Sequence, residues 1–126
     1  HKIHSNNDLF AGPASGSFLL DGMVIVPCSM KTLSAIASGY ADTLITRSAS
    51  CMLKEKRPLI VVPRETPIDL SGLKNMVQIS EAGGIVLPAA PGFYHQPSSL
   101  SDLVDFIVGK ILDQLHITHS LFKRWE

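Results

Sequence analysis

Two cysteines are all that the 126 residues hold, Cys28 and Cys51. They stand in no CxxC or Cys/His spacing, which argues against a structural zinc site, and they read as reduced thiols of a cytosolic protein. A dominant charge sign is lacking too, since eleven Lys and Arg balance eleven Asp and Glu. That balance leaves no overall electrostatic footprint for nucleic acid or an anionic membrane, while a local basic pocket stays compatible with it. No apolar run approaches the ~20 residues needed to span a bilayer, and the opening HKIHSNNDLF has no apolar core of a signal peptide. The expectation is a soluble, cytoplasmic protein without nucleic-acid or membrane partners.

What is present is enough apolar residue, 45% against 17% charged, to bury the core of one domain over residues 1–126. GMVIVPC (Gly22 to Cys28), RPLIVVP (Arg57 to Pro63) and GIVLPAA (Gly84 to Ala90) are short apolar runs of strand type. Between them the apolar residues recur at helical spacing. One stretch after Cys28 is divided at Gly39, a natural left-handed cap, and another carries Leu73, Met76, Val77 and Ile79. A last helix shows Leu103, Phe106, Ile107, Ile111 and Leu115 along one face and opens on a Ser99/Asp102 capping box. Nearly all-apolar strands alternating with helices predict an α/β, doubly wound parallel sheet. Residues 117–126 read as a tail.

Ligands of such sheets sit outside the carboxyl ends of the strands, so three loops matter. In PCSMKT, Ser29 and Thr32 place hydroxyls and backbone N–H groups at a helix N-terminus, which attracts an anion through its unpaired donors and dipole. Ser29 serves equally well as a plain N-cap, and Lys31 favours the anion. In VVPRETP no Gly, Asn or Asp builds the turn. Instead Arg64 offers a planar fork and Glu65 a proton-transfer group between two prolines, with a surface ion pair as the plain alternative. In PAAPGFYHQPSS, Tyr94 combines a ring for an apolar ligand with a hydroxyl for a phosphate, or is a packed turn residue. Arg47, Lys54 and Lys110 fall on helices as ordinary solvated charges. His116 and His119 lack a third metal ligand nearby.

Taken together, GPASGSF, MVIVPCSMKTLSAIASGYADTLITRSASCMLKEKRPLIVVPRETP, SEAGGIVLPAAPGFYHQP and LVDFIVGKILDQL closely resemble the UbiX family of flavin prenyltransferases, once described as aromatic acid decarboxylases. The resemblance runs from about Ile3 to Leu115, with all three loops in order and spacing. It implies transfer of a dimethylallyl group from dimethylallyl phosphate to reduced FMN, without a metal. The product is prenylated FMN for a UbiD-type decarboxylase, a step linked to ubiquinone biosynthesis. It implies that Ser29, Met30, Lys31, Thr32 and Arg64 bind the flavin and that Glu65 transfers a proton. Arg47, Lys54, Tyr94, Lys110 and Trp125 would bind the prenyl donor, Lys110 standing where some members have arginine. A trimer-based homo-oligomer, a dodecamer, is expected.

Family members open with a strand, a Gly-Ala-Ser-Gly turn that binds FMN, a helix and a second strand. This sequence has no counterpart of that βαβ start, so it is expected to represent the C-terminal two-thirds of the family fold. A cysteine decarboxylase-like flavoprotein, or a truncated and inactive subunit, are the competing expectations. PRETP and GFYHQP argue against the first.

Overall fold

The computed structural model describes residues 1–125; Glu126, the last residue of the expected tail, lies outside the described residues. The chain divides into two compact units, His1–Leu87 and a second from Pro88 onward.

The first unit is a parallel sheet of three strands in the order β1-β2-β3, with β1 at Met23–Cys28, β2 at Leu59–Pro63 and β3 at Ile85–Val86. Helices α1 (Met30–Ser38) and α2 (Leu44–Lys54) connect β1 to β2, and α3 (Leu70–Glu81) connects β2 to β3. Each strand is thus followed by helix, as a parallel sheet requires. Met23, Val24 and Ile25 pair with Leu59, Ile60 and Val61. β2 is central and buried along its length, and Leu59, Ile60 and Val61 are fully inaccessible. β1 is an edge strand, with Val26 and Pro27 exposed.

The core joins Ile25 and Cys28 of β1, Leu59 and Val61 of β2, Leu33 and Ile36 of α1, Ala49 and Met52 of α2, and Ile79 of α3. Each fully buried Leu, Ile or Met contributes about 1.5–3 kcal/mol relative to exposure. Helix limits follow local chemistry. The Ser29 hydroxyl accepts the Thr32 N–H at the start of α1, and Gly39, at φ 74°, ends it in the left-handed region. Thr43 and Thr46 cap each other's backbone at α2, and Asp69 accepts the Gly72 N–H at α3.

The N-terminal residues are tied to this frame by polar bonds. Arg57 donates to the Phe18 and Gly16 carbonyls at 2.8 and 2.9 Å, and Arg47 Nε donates to the Ala14 carbonyl at 3.0 Å. Asn6 accepts the Leu44 and Ile45 N–H groups, which begin α2 and have no partner within the helix.

The structure corrects one detail. The third strand, expected over Gly84–Ala90, is only Ile85–Val86. Leu87 still donates to the Val61 carbonyl, and the pairing with β2 ends there. On α3, Leu73 and Val77 are about half exposed, and the buried side carries Gly72 and Ile79.

The second unit contains α4 (Leu100–Gln114), opened by the expected Ser99/Asp102 capping box. Ser98 and Ser99 direct N–H and hydroxyl groups at the Asp102 carboxylate, and these bonds, the Ser98 N–H first, hold its pKa below the ordinary value. Phe106 and Ile111 are buried on this helix, while Leu103, Ile107 and Leu115 are half-buried. Among the described residues no helix is long and apolar enough to cross a membrane.

Candidate functional site

Cys28 at the end of β1 pairs with Pro63 at the end of β2. The parallel ladder therefore delivers Ser29–Thr32 and Arg64–Pro67 side by side at the same sheet edge. This is where a doubly wound sheet places its ligands.

At the first of these loops Ser29 acts as the N-cap. Its Oγ accepts the Thr32 N–H at 3.2 Å and donates to Thr32 Oγ1 at 3.1 Å, and its carbonyl accepts the Leu33 N–H. The Met30 and Lys31 N–H groups have no acceptor among the described residues, so two donors and the positive end of the α1 dipole remain for an anion. The Lys31 side chain is exposed. Met30 turns toward α3, where a Cβ on Gly72 would come within 2.6 Å of its Cε.

At the second loop Arg64, Glu65 and Thr66 are exposed. Arg64 and Glu65 do not pair with each other, and among the described residues Glu65 Oε1 accepts only its neighbour's Thr66 N–H at 3.3 Å. Cys28, next to Ser29, is buried, and burial pushes its thiol up to about 11.

The remaining predicted residues are spread over both units. Arg47 and Lys54 lie two turns apart on α2. Arg47 commits Nε to the Ala14 carbonyl, and Lys54, 64% exposed, stands 3.7 Å from Glu55. In the second unit Tyr94 and Trp125 meet edge to face, 5.7 Å between ring centroids. Tyr94 also meets Phe106 and His95 edge-on at 5.8 Å, and His95 stacks on Phe106 at 5.0 Å. Gly92 makes room for this cluster, since a Cβ there would lie 3.0 Å from the Tyr94 ring.

A cavity of about 250 Å³ is lined by Tyr94, His95, Lys123, Arg124 and Trp125. Lys110 is exposed on α4 and does not line it. Sequence reasoning missed Lys123 and Arg124, for which no periodicity or motif gave a signal. Both His95 ring nitrogens are buried without a hydrogen-bond partner among the described residues. His119 bonds Asp113, and no group of three or more metal-ligating residues occurs among the described residues.

These features define an α/β flavoprotein, and residues 1–112 match the family model described as Flavoprotein. The flavin prenyltransferase UbiX of Methanothermobacter thermautotrophicus is 58% identical over 111 residues, covering 88% of this chain and 58% of that protein. A crystal structure of AnUbiX (PadA1) in complex with FMN and dimethylallyl pyrophosphate superposes with a TM-score of 0.95 at 48% identity, covering 98% of this chain and 65% of that one. A dodecameric FMN-dependent UbiX-like decarboxylase from Escherichia coli O157:H7 gives 0.94 at 44% identity, covering 98% and 66%. The chain belongs to the UbiX family of flavin prenyltransferases. It spans about three fifths of the length of the first curated relatives it matches.

Proposed function

We propose that this chain carries part of a flavin prenyltransferase site that joins a dimethylallyl group from dimethylallyl phosphate to reduced FMN. The observation that carries the reading is the pairing of Cys28 with Pro63, which sets the open N-terminus of α1 beside Arg64 and Glu65. That edge fits FMN: unpaired Met30 and Lys31 amides suit an anionic group, and the Arg64 fork suits a phosphate or ring carbonyl. The Ser29 and Thr32 hydroxyls complete the turn. Bound there, reduced FMN would supply the nucleophilic ring system.

Glu65 accepts or returns the proton that must move as the new ring closes, a role open to a carboxylate with no cation partner among the described residues. Arg47, Lys54 and Lys110 offset the charge of the departing phosphate, so the reading requires no metal. The Tyr94 hydroxyl bonds a phosphate oxygen, and the Tyr94 and Trp125 rings cover the dimethylallyl chain. We infer that residues 1–126 belong to one flavoprotein domain, a reading supported by the match of residues 1–112 to a single family model. The Escherichia coli relative described as dodecameric supports a trimer-based homo-oligomer. We further infer a cytoplasmic location and a UbiD-type decarboxylase as recipient of prenylated FMN, in a route to ubiquinone.

The test is to give the purified protein reduced FMN and dimethylallyl phosphate and to follow prenylated flavin by absorbance and mass. Formation of a flavin heavier by one dimethylallyl unit is expected. Flavin binding without that product overturns the reaction assignment, and failure to bind FMN overturns the cofactor assignment.

A further inference from the structure

Residues 115–125 fold back on α4, fastened at one carboxylate. Arg124 grips Asp113 with both arms, Nη2 donating to Oδ1 at 2.7 Å and Nη1 to Oδ2 at 3.2 Å. His119 Nε2 meets the same Oδ1 at 3.0 Å, and its side chain is only 5% exposed. Asp113 lies in the last turn of α4, where the helix dipole disfavours a negative charge. A carboxylate in that place is costly to the helix alone and is offset by the two groups the tail brings to it.

The seat beneath the tail is equally specific. A Cβ on Gly109 would collide with the Phe122 ring and come within 2.6 Å of His119 Cε1. The glycine thus admits both rings against the helix backbone. Phe122 in turn lies 5.1 Å from Phe106, and the Arg124 guanidinium sits 5.7 Å over Phe122. Trp125 follows Arg124 directly and rests on Tyr94.

We propose that Asp113, Arg124 and His119 form a latch, seated on Gly109, that holds Trp125 against Tyr94 and so fixes one wall of the cavity between them. Asp113 is then a positioning residue: it does not line the cavity and acts through Arg124 and Trp125, whereas Arg124 also lines the cavity itself. What the cavity holds, the dimethylallyl donor, rests on the function proposed above. The latch itself rests on geometry alone.

Trp125 is the only tryptophan in the chain, so its emission reports the tail directly. In Asp113→Asn or Arg124→Gln the balance between displaced and seated Trp125, read from emission maximum and acrylamide quenching, should shift roughly three- to tenfold. The double variant should add little to either single one, whereas Asp105→Asn, elsewhere on α4, should change nothing. Gly109→Ala should displace Trp125 in the same way while the far-ultraviolet helix signal holds or rises, alanine being the better helix former. Unchanged Trp125 emission and quenching in Asp113→Asn and Gly109→Ala, with helix signal retained, overturns the latch. In turnover assays Asp113→Asn and Gly109→Ala, whose residues do not line the cavity, should raise KM for dimethylallyl phosphate more than they lower kcat. Displaced Trp125 with unaltered KM leaves the latch standing and overturns the assignment of this cavity to the prenyl donor.

Discussion

In the unit His1–Leu87 Ser29 to Thr32, Arg64 and Glu65 follow the ends of paired strands, whereas from Pro88 onward Tyr94 and Trp125 are held by ring contacts and an ion pair. Ser29 and Arg64 inherit their spacing from the ladder between β1 and β2, whose central strand is inaccessible to solvent. Tyr94 and Trp125 have no ladder beneath them, and Trp125 is 81% exposed. A strand end is fixed by the core of the whole unit, so its side chains are organised before a ligand arrives. A ring cluster closed by exposed charges opens at much lower cost. The first arrangement suits groups that must meet a cofactor in one geometry, and the second suits a wall that must let substrate in and product out.

The sharpest challenge to this contrast is Glu65→Gln, which keeps shape and removes the proposed proton acceptor. Turnover should fall by roughly 10²–10⁴-fold with FMN affinity and the melting temperature unchanged; a normal rate would mean that Glu65 moves no proton. Next comes Leu59→Ala in β2, expected to cost about 3 kcal/mol in urea unfolding. A cost near zero would show that the strand ends are not anchored by this core. Ser29→Ala removes one cap hydrogen bond and should cost about 1 kcal/mol, with weaker FMN binding seen in a flavin fluorescence titration.

The smallest effect is that of acid on the second unit. The Arg124 bonds, with a lesser contribution from His119, outweigh partial desolvation and hold the Asp113 pKa below its ordinary value. A depressed folded pKa stabilises above the unfolded value and loses that contribution as pH falls through the folded one. Trp125 emission should therefore stay constant through the pH where free aspartates protonate and shift to the red only below it. A shift beginning at mildly acidic pH would place the control of the tail elsewhere than at Asp113.

Features written in local chemistry could be read from the sequence. Ser29, Gly39 and Ser99 signal their caps through residue type and spacing, and the apolar runs of β1 and β2 allow no polar face. The two strand-end loops were therefore locatable before any coordinates. The third strand is shorter than GIVLPAA suggests because apolar character runs through all of it, and that character alone does not mark where pairing with β2 ends. Long-range polar bonds left no trace: Arg47 to Ala14, Arg57 to Gly16 and Phe18, and Arg124 to Asp113 join residues separated by no helical or strand period. His119, legible only as half of a histidine pair with His116, proved to be a partner of Asp113.

The burial of Cys28 has a practical consequence. A thiol held at about 11 is ionised in only about one molecule in ten thousand at pH 7, and Cys51 is likewise buried. The folded chain is therefore a silent background for maleimide chemistry. A single cysteine introduced on the exposed part of the tail would be the one site to take a dye, and the mobility of that dye could follow opening with both native cysteines left in place.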